Sequence, residues 1–159
     1  MRARTAFAVL LTAAAALPLA AADAPRPLAS AESNLDGVIV DLMSVERKGS
    51  VLTVKWAARN TGAEETTVRF GMCGNTVTTY AVDEENGTKY FVLTDKDDVG
   101  LASEHEWTGS NHGVVEAIPP GESRRFWMKL PAPPPEVEVI SLFFTGTEPI
   151  EGVAITDRE

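Results

Sequence analysis

Val51-Leu52-Thr53-Val54-Lys55-Trp56-Ala57-Ala58-Arg59, closed by Asn60-Thr61-Gly62, decides the fold class of this chain. Leu52, Val54, Trp56 and Ala58 fall on one side of an extended backbone and Thr53, Lys55 and Arg59 on the other. A period of two is the mark of a half-buried strand. Immediately upstream, Val38, Val40 and Leu42 alternate with Ile39, Asp41 and Met43, and the run ends at Lys48-Gly49-Ser50. The two segments predict a hairpin, with Gly49 supplying the turn conformation. Trp56, on the apolar face, is the expected core tryptophan.

The same pattern continues downstream. Thr66 to Phe70 reads as a third strand, and Thr76 to Val82 and Thr88 to Thr94 flank Asp83-Glu84-Glu85-Asn86-Gly87. Asn-Gly between alternating segments is a strong hairpin signal. Asn86-Gly87-Thr88 also spells a glycosylation sequon, but the alternation on both sides demands a reversal there. After Pro119-Pro120-Gly121, Phe126 and Met128 alternate with Arg125, Trp127 and Lys129, which leaves Trp127 partly exposed. Pro131 to Pro135 forces an extended, unpaired linker. Val137 to Phe144, nearly continuous in β-branched and aromatic residues, reads as a strand buried on both faces, and Val153 to Ile155 as a short edge. Seven or eight strands with no helical period predict an all-β, immunoglobulin-like two-sheet antiparallel sandwich. Any helix is expected to be one or two turns, after Asp97.

Residues 1–22 have the layout of a cleaved export signal: Arg2 and Arg4, an apolar run from Ala6 to Leu17, then Pro18 and Ala20-Ala21-Ala22. The apolar run is shorter than the ~20 residues a membrane-spanning helix needs, and no second one follows. No cysteine stands at the expected cleavage point for lipid attachment, so the expectation is a free periplasmic or secreted bacterial protein with no integral membrane segment after cleavage. Asp23 to Asp36, with Pro25, Pro27, Ser30, Ser33 and Asn34, reads as a flexible linker, residues 23–36, ahead of one domain over residues 37–159.

The chain carries 14 basic and 23 acidic residues, a net charge of −9; without Arg2 and Arg4, 12 stand against 23, or −11. Nucleic acid and anionic lipid surfaces reward clustered Lys and Arg, so neither is an expected partner. Cys73 is the only cysteine, so packing rather than an intrachain disulfide must hold the fold. Burial as a small hydrophobe is its expected state; a dimer bridged through Cys73 is the alternative.

The Val51-to-Trp56 strand ending in Asn60-Thr61-Gly62, the Asp83-to-Tyr90 hairpin, Pro120-Gly121-Glu122-Ser123 and the final Ile140-to-Ile155 segment together resemble exported bacterial immunoglobulin-like domains of unknown function. Domains fused to envelope lipoproteins belong to that group, and a small secreted mycobacterial antigen is distantly similar. The resemblance spans residues 37–156 and rests on turns and strand ends. It implies an extracytoplasmic sandwich used for binding or as an accessory module, and supplies no catalytic residues.

Chemistry has one obvious place to reside, the connection from Asp95 to Ala117, which strand patterning does not explain; long loops on rigid scaffolds often bind. Against an EF-hand loop, Asp95 falls at position 1, Asp97 at 3, Gly100 at 6 and Glu106 at 12. Val99 at position 5 offers no side-chain oxygen, and the preceding segment is a strand. Asp95, Asp97 and Glu106 are therefore the candidate calcium ligands. His105, His112 and Cys73, with Met72, are the candidate ligands for copper or zinc, at spacings that match no cupredoxin. No serine occupies a nucleophile-elbow context, and pairs of acids carry no signal in so acidic a chain, so no enzyme and no cofactor is expected. Trp107, rimmed by Glu104, His105 and His112, is the candidate anchor of a protein interface. The sequence therefore predicts a non-enzymatic module that binds another envelope protein or a cationic partner through the 95–117 loop, with metal-ion binding by the same loop as the alternative.

Overall fold

A computed structural model describes residues 26–74, 78–103, 106–108 and 111–159, without the side chains of residues 73, 74, 106–108, 111 and 112. The expected signal, residues 1–22, lies outside the described residues. Among the described residues there is no helix, and twelve strands follow in order: β1 (Ala29–Glu32), β2 (Val38–Lys48), β3 (Val51–Asn60), β4 (Thr66–Gly74), β5 (Tyr80–Asp83), β6 (Thr88–Tyr90), β7 (Glu106–Thr108), β8 (Asn111–Ile118), β9 (Ser123–Pro131), β10 (Val139–Phe143), β11 (Ile150–Ala154) and β12 (Thr156–Asp157). None of the described residues belongs to a helix long and apolar enough to cross a membrane.

One layer is the sheet β1-β2-β3-β9, with β12 parallel to β2 beyond the end of β1. The other layer is made of two sheets, β11-β10-β5-β6 and β4-β8-β7. They meet where Thr78 and Thr79 N–H donate to the Gly71 carbonyl and Gly71 N–H donates to Thr145 Oγ1. Buried apolar side chains from all three sheets form one core. Trp56 stands at its centre, fully buried, with Phe126 stacked at 5.8 Å, Phe70 edge-on at 5.5 Å and Phe144 tilted at 5.0 Å. One ring thus touches residues from, or next to, every sheet.

The β2–β3 hairpin turns at Gly49 (φ +55°) and the β5–β6 hairpin at Gly87 (φ +64°), left-handed positions that glycine adopts without steric cost. In β2 the buried face changes phase. Val38, Val40 and Leu42 point inward, and after a bulge at Met43 the inward residues are Val45 and Arg47. The bulge inserts one residue opposite a continuous β3 and so brings Arg47, a charged residue, into the interior.

Four expectations need correction. The 23–36 linker contains β1, which pairs with β2 and buries Ala31; small alanines carry little hydrophobic signal, yet they fit an edge. The segment after Asp97 is not helical among the described residues. The supposed 95–117 loop holds β7 and most of β8, whose Val114 and Ile118 are buried in phase. The β10 strand is not buried along both faces: on the outer face Val139 is 48% exposed and only Ser141 is covered, while Ile140 and Leu142 are in the core. Its β-branched composition fits a pleated surface whichever side faces water. Beyond the expected strands stand β1, β7 and β12, of two to four residues and too brief for a visible period, and the eight-residue β8.

On the solvent side of the first layer, Ser30 Oγ donates to Asp41 Oδ1 (2.6 Å), and Arg59 Nε and Nη2 donate to the two Asp41 oxygens (2.9 and 3.2 Å). Burial pushes the Asp41 carboxyl up, but the Arg59 and Ser30 hydrogen bonds and the Arg59 charge outweigh it and hold the carboxyl below its ordinary value. A depressed carboxyl contributes stability above its unfolded pKa of about 3.9 and loses it as pH falls through the folded value. Asp41→Asn should therefore cost about 1–2 kcal/mol at neutral pH. The gap from wild type should close below about pH 4. Melting curves of both proteins against pH test this; a gap that persists in acid would show that packing rather than ionisation is responsible.

Candidate functional site

The outer face of the β11-β10-β5-β6 sheet brings together aromatic and acidic side chains that are distant in sequence. Alternation in β10 sends Val139, Ser141 and Phe143 away from the core, and in β5 it does the same for Tyr80 and Val82. Register places Phe143 opposite Tyr80, and their rings stack at 4.9 Å and 13°. Phe91, 47% exposed, tilts against Tyr80 at 5.9 Å, and Lys89 Nζ lies 4.6 Å from the Tyr80 ring centre. The result is an aromatic ledge half open to solvent.

Along the same strand, beyond Val139, lies a cleft of about 380 Å³ lined by Asp83, Glu84, Glu85, Glu136 and Glu138. The β5–β6 turn supplies three of these acids. Asp83, buried, accepts from Asn86 N–H and Asn86 Nδ2 and fixes the turn. Ser141 Oγ donates to Glu84 Oε1 and ties the turn to β10. Burial, together with the Asp83 charge, pushes the Tyr90 phenol up. Glu136 and Glu138 come from the far end of the proline linker, whose course is fixed from the other side by Arg47. The cleft offers negative charge beside apolar surface, which suits a partner presenting cations around an apolar anchor.

A second surface lies on the opposite layer. Met43, Ser44, Lys55, Arg125 and Trp127 line a groove of about 300 Å³ beside the β2 bulge. Trp127 is 38% exposed, in accord with its predicted position, and Lys129 Nζ lies 6.0 Å from its ring centre. Ser44 Oγ and Trp56 Nε1, both in residues lining this groove, are buried without a hydrogen-bond partner among the described residues.

Of the residues singled out from sequence, Asp95 and Asp97 are engaged locally. Asp95 Oδ1 accepts from Asp97 N–H and Val99 N–H, both at 2.9 Å, so this carboxylate closes a local turn. Asp97 pairs instead with Lys96 at 2.7 Å. The backbone of Glu106 opens β7, opposite Gly113, and its side chain lies outside the described residues. Among the described residues, no three His, Cys, Asp or Glu side chains are grouped to hold a metal ion. Glu104 and His105 lie outside the described residues. Cys73 and Trp107 both have His112 as their cross-strand neighbour, on opposite sides of β8, but the side chains of all three are likewise outside what is described. The part of the loop from Leu93 to Ser103 runs along the free edge of β9, where Leu93 N–H donates to the Lys129 carbonyl and Ser103 N–H to the Trp127 carbonyl.

Sequence reasoning missed the ledge because Tyr80, Phe91 and Phe143 come from separate segments that only strand pairing brings together. The available signal was an aromatic at an outward strand position, as Trp127 also shows. Fold and surface together define an all-β sandwich with two chemically distinct exposed faces. No protein-family model, curated protein or solved structure matches the chain.

Proposed function

We propose that this chain is an exported, non-enzymatic, immunoglobulin-like binding module of the bacterial cell envelope that engages a cationic partner through the aromatic ledge and acidic cleft. The stacked Tyr80–Phe143 pair with exposed Phe91, set beside five carboxylate residues, carries the reading. Export is supported by the arrangement of residues 1–22, and an accessory binding role by the resemblance over residues 37–156.

Fluorescence anisotropy with a labelled amphipathic Leu/Lys peptide tests the reading. Phe91→Ala and Glu138→Lys should each weaken binding about tenfold, the loss of roughly 1.4 kcal/mol expected of a central anchor or a reversed rim charge. A Leu/Glu peptide of equal length should not bind. Equal binding of both peptides, or no effect of either substitution, would overturn the proposal.

A further inference from the structure

The two exposed faces of the sandwich complement each other. One has a half-exposed aromatic ledge bordered by Glu84, Glu85, Glu136 and Glu138. The other has Trp127 in an apolar groove bordered by Lys55 and Arg125, with Lys129 alongside. Lys55 reaches Glu46 only at 4.0 Å, and Arg125 and Lys129 have no carboxylate partner among the described residues. In a chain of net charge −9, three exposed cations gathered around one exposed tryptophan form a local reversal of the overall charge. The faces belong to opposite layers, so they cannot meet within one molecule.

We propose that the cationic partner of the aromatic and acidic face is a second copy of this chain, which docks through its Trp127 groove. This inference rests on the reading of the ledge and cleft as a binding face, and it names the occupant. The chemistry that would recognise the acidic face is present on the chain itself: an aromatic anchor ringed by lysine and arginine. Apolar centres supply the desolvated contact, while the rim charges set orientation and reject like faces. Because the two patches differ, the contact is heterologous. Each docked copy leaves one free face of each kind, so the arrangement propagates head to tail unless the rotation between copies closes a ring.

Sedimentation velocity of the purified chain over a wide concentration range tests this. The weight-average mass of the wild type should rise with concentration. Arg125→Glu with Lys129→Glu, and separately Glu84→Lys with Glu138→Lys, should each hold the chain as a monomer; all four residues are exposed, and circular dichroism checks that the sheets persist. An equimolar mixture of the two double variants should associate again, since each intact face finds its complement and the reversed faces match each other. The inference is overturned if the wild type stays monomeric, if either variant associates as the wild type does, or if the mixture fails to associate. A monomeric wild type that still binds the Leu/Lys peptide in a Phe91-dependent way would refute self-association alone; loss of both results would refute the binding face as well.

Discussion

Trp56→Ala is expected to cost about 3–5 kcal/mol, a large part of the 5–15 kcal/mol that holds a domain of this kind folded. The side chain is completely buried and touches three phenylalanines contributed by the two layers. Removing it opens a cavity where side chains from all three sheets meet. Trp56→Phe should cost much less. It keeps an aromatic ring in the cluster, and it deletes the Nε1–H that is buried without a partner among the described residues, which offsets some of the lost packing. Trp127→Ala, at a position 38% exposed, should change stability by under about 1 kcal/mol. Urea unfolding of the three variants gives the comparison. A Trp56→Ala cost no larger than that of Trp127→Ala would mean that the layers are held together elsewhere.

Arg47 is the second residue whose loss should be severe, for polar rather than apolar reasons. It is only 6% exposed, yet its guanidinium grips Asp157 with two hydrogen bonds (2.6 and 2.9 Å). The same group donates to the carbonyls of Pro134 (2.7 Å), Val137 (3.0 Å), Pro133 and Pro135 (both 3.3 Å). Prolines lack an N–H, but their carbonyls still need donors when buried. Arg47 supplies them, and in doing so sets the path of the linker that delivers Glu136 and Glu138 to the acidic cleft. Arg47→Met leaves Asp157 free to be hydrated, because that carboxylate is 69% exposed, but it strands buried carbonyls. The expected cost is about 2–3 kcal/mol, or a fall in melting temperature on the order of 10 °C. Arg47→Lys should recover little, since one compact ammonium cannot span both the carboxylate and the linker. Limited proteolysis should then cut the C-terminal residues, where β12 has lost its anchor. A melting temperature within about 2 °C of wild type would show that the linker holds its course without the arginine.

The cleft and groove differ in how far each could be anticipated. Trp127, Arg125 and Lys129 alternate within one strand, so their common face is a local property of the backbone. The ledge is not local. Tyr80 and Phe143 become neighbours only because β10 pairs with β5 in a particular register, and a slip of one residue would bury them instead. The metal and interface expectations for the 95–117 segment failed to anticipate β7 and β8 because a short apolar period was hidden among acids and glycines. Asp95 and Asp97, spaced like calcium ligands, are used for a turn and a lysine contact.

By itself the sequence determined the β class, the half-buried strands, the two glycine hairpins, Trp56 in the core and Trp127 at the surface. Each follows from side-chain alternation or turn chemistry over a few adjacent residues. Only the tertiary structure decided that Arg47 would turn inward after the Met43 bulge, that Ala29–Glu32 would become an edge strand, and that three separate segments would assemble an aromatic ledge beside an acidic cleft. These depend on strand order and register, which are settled by long-range packing of one sheet against another and by burial of one shared core, not by the local preferences of any segment.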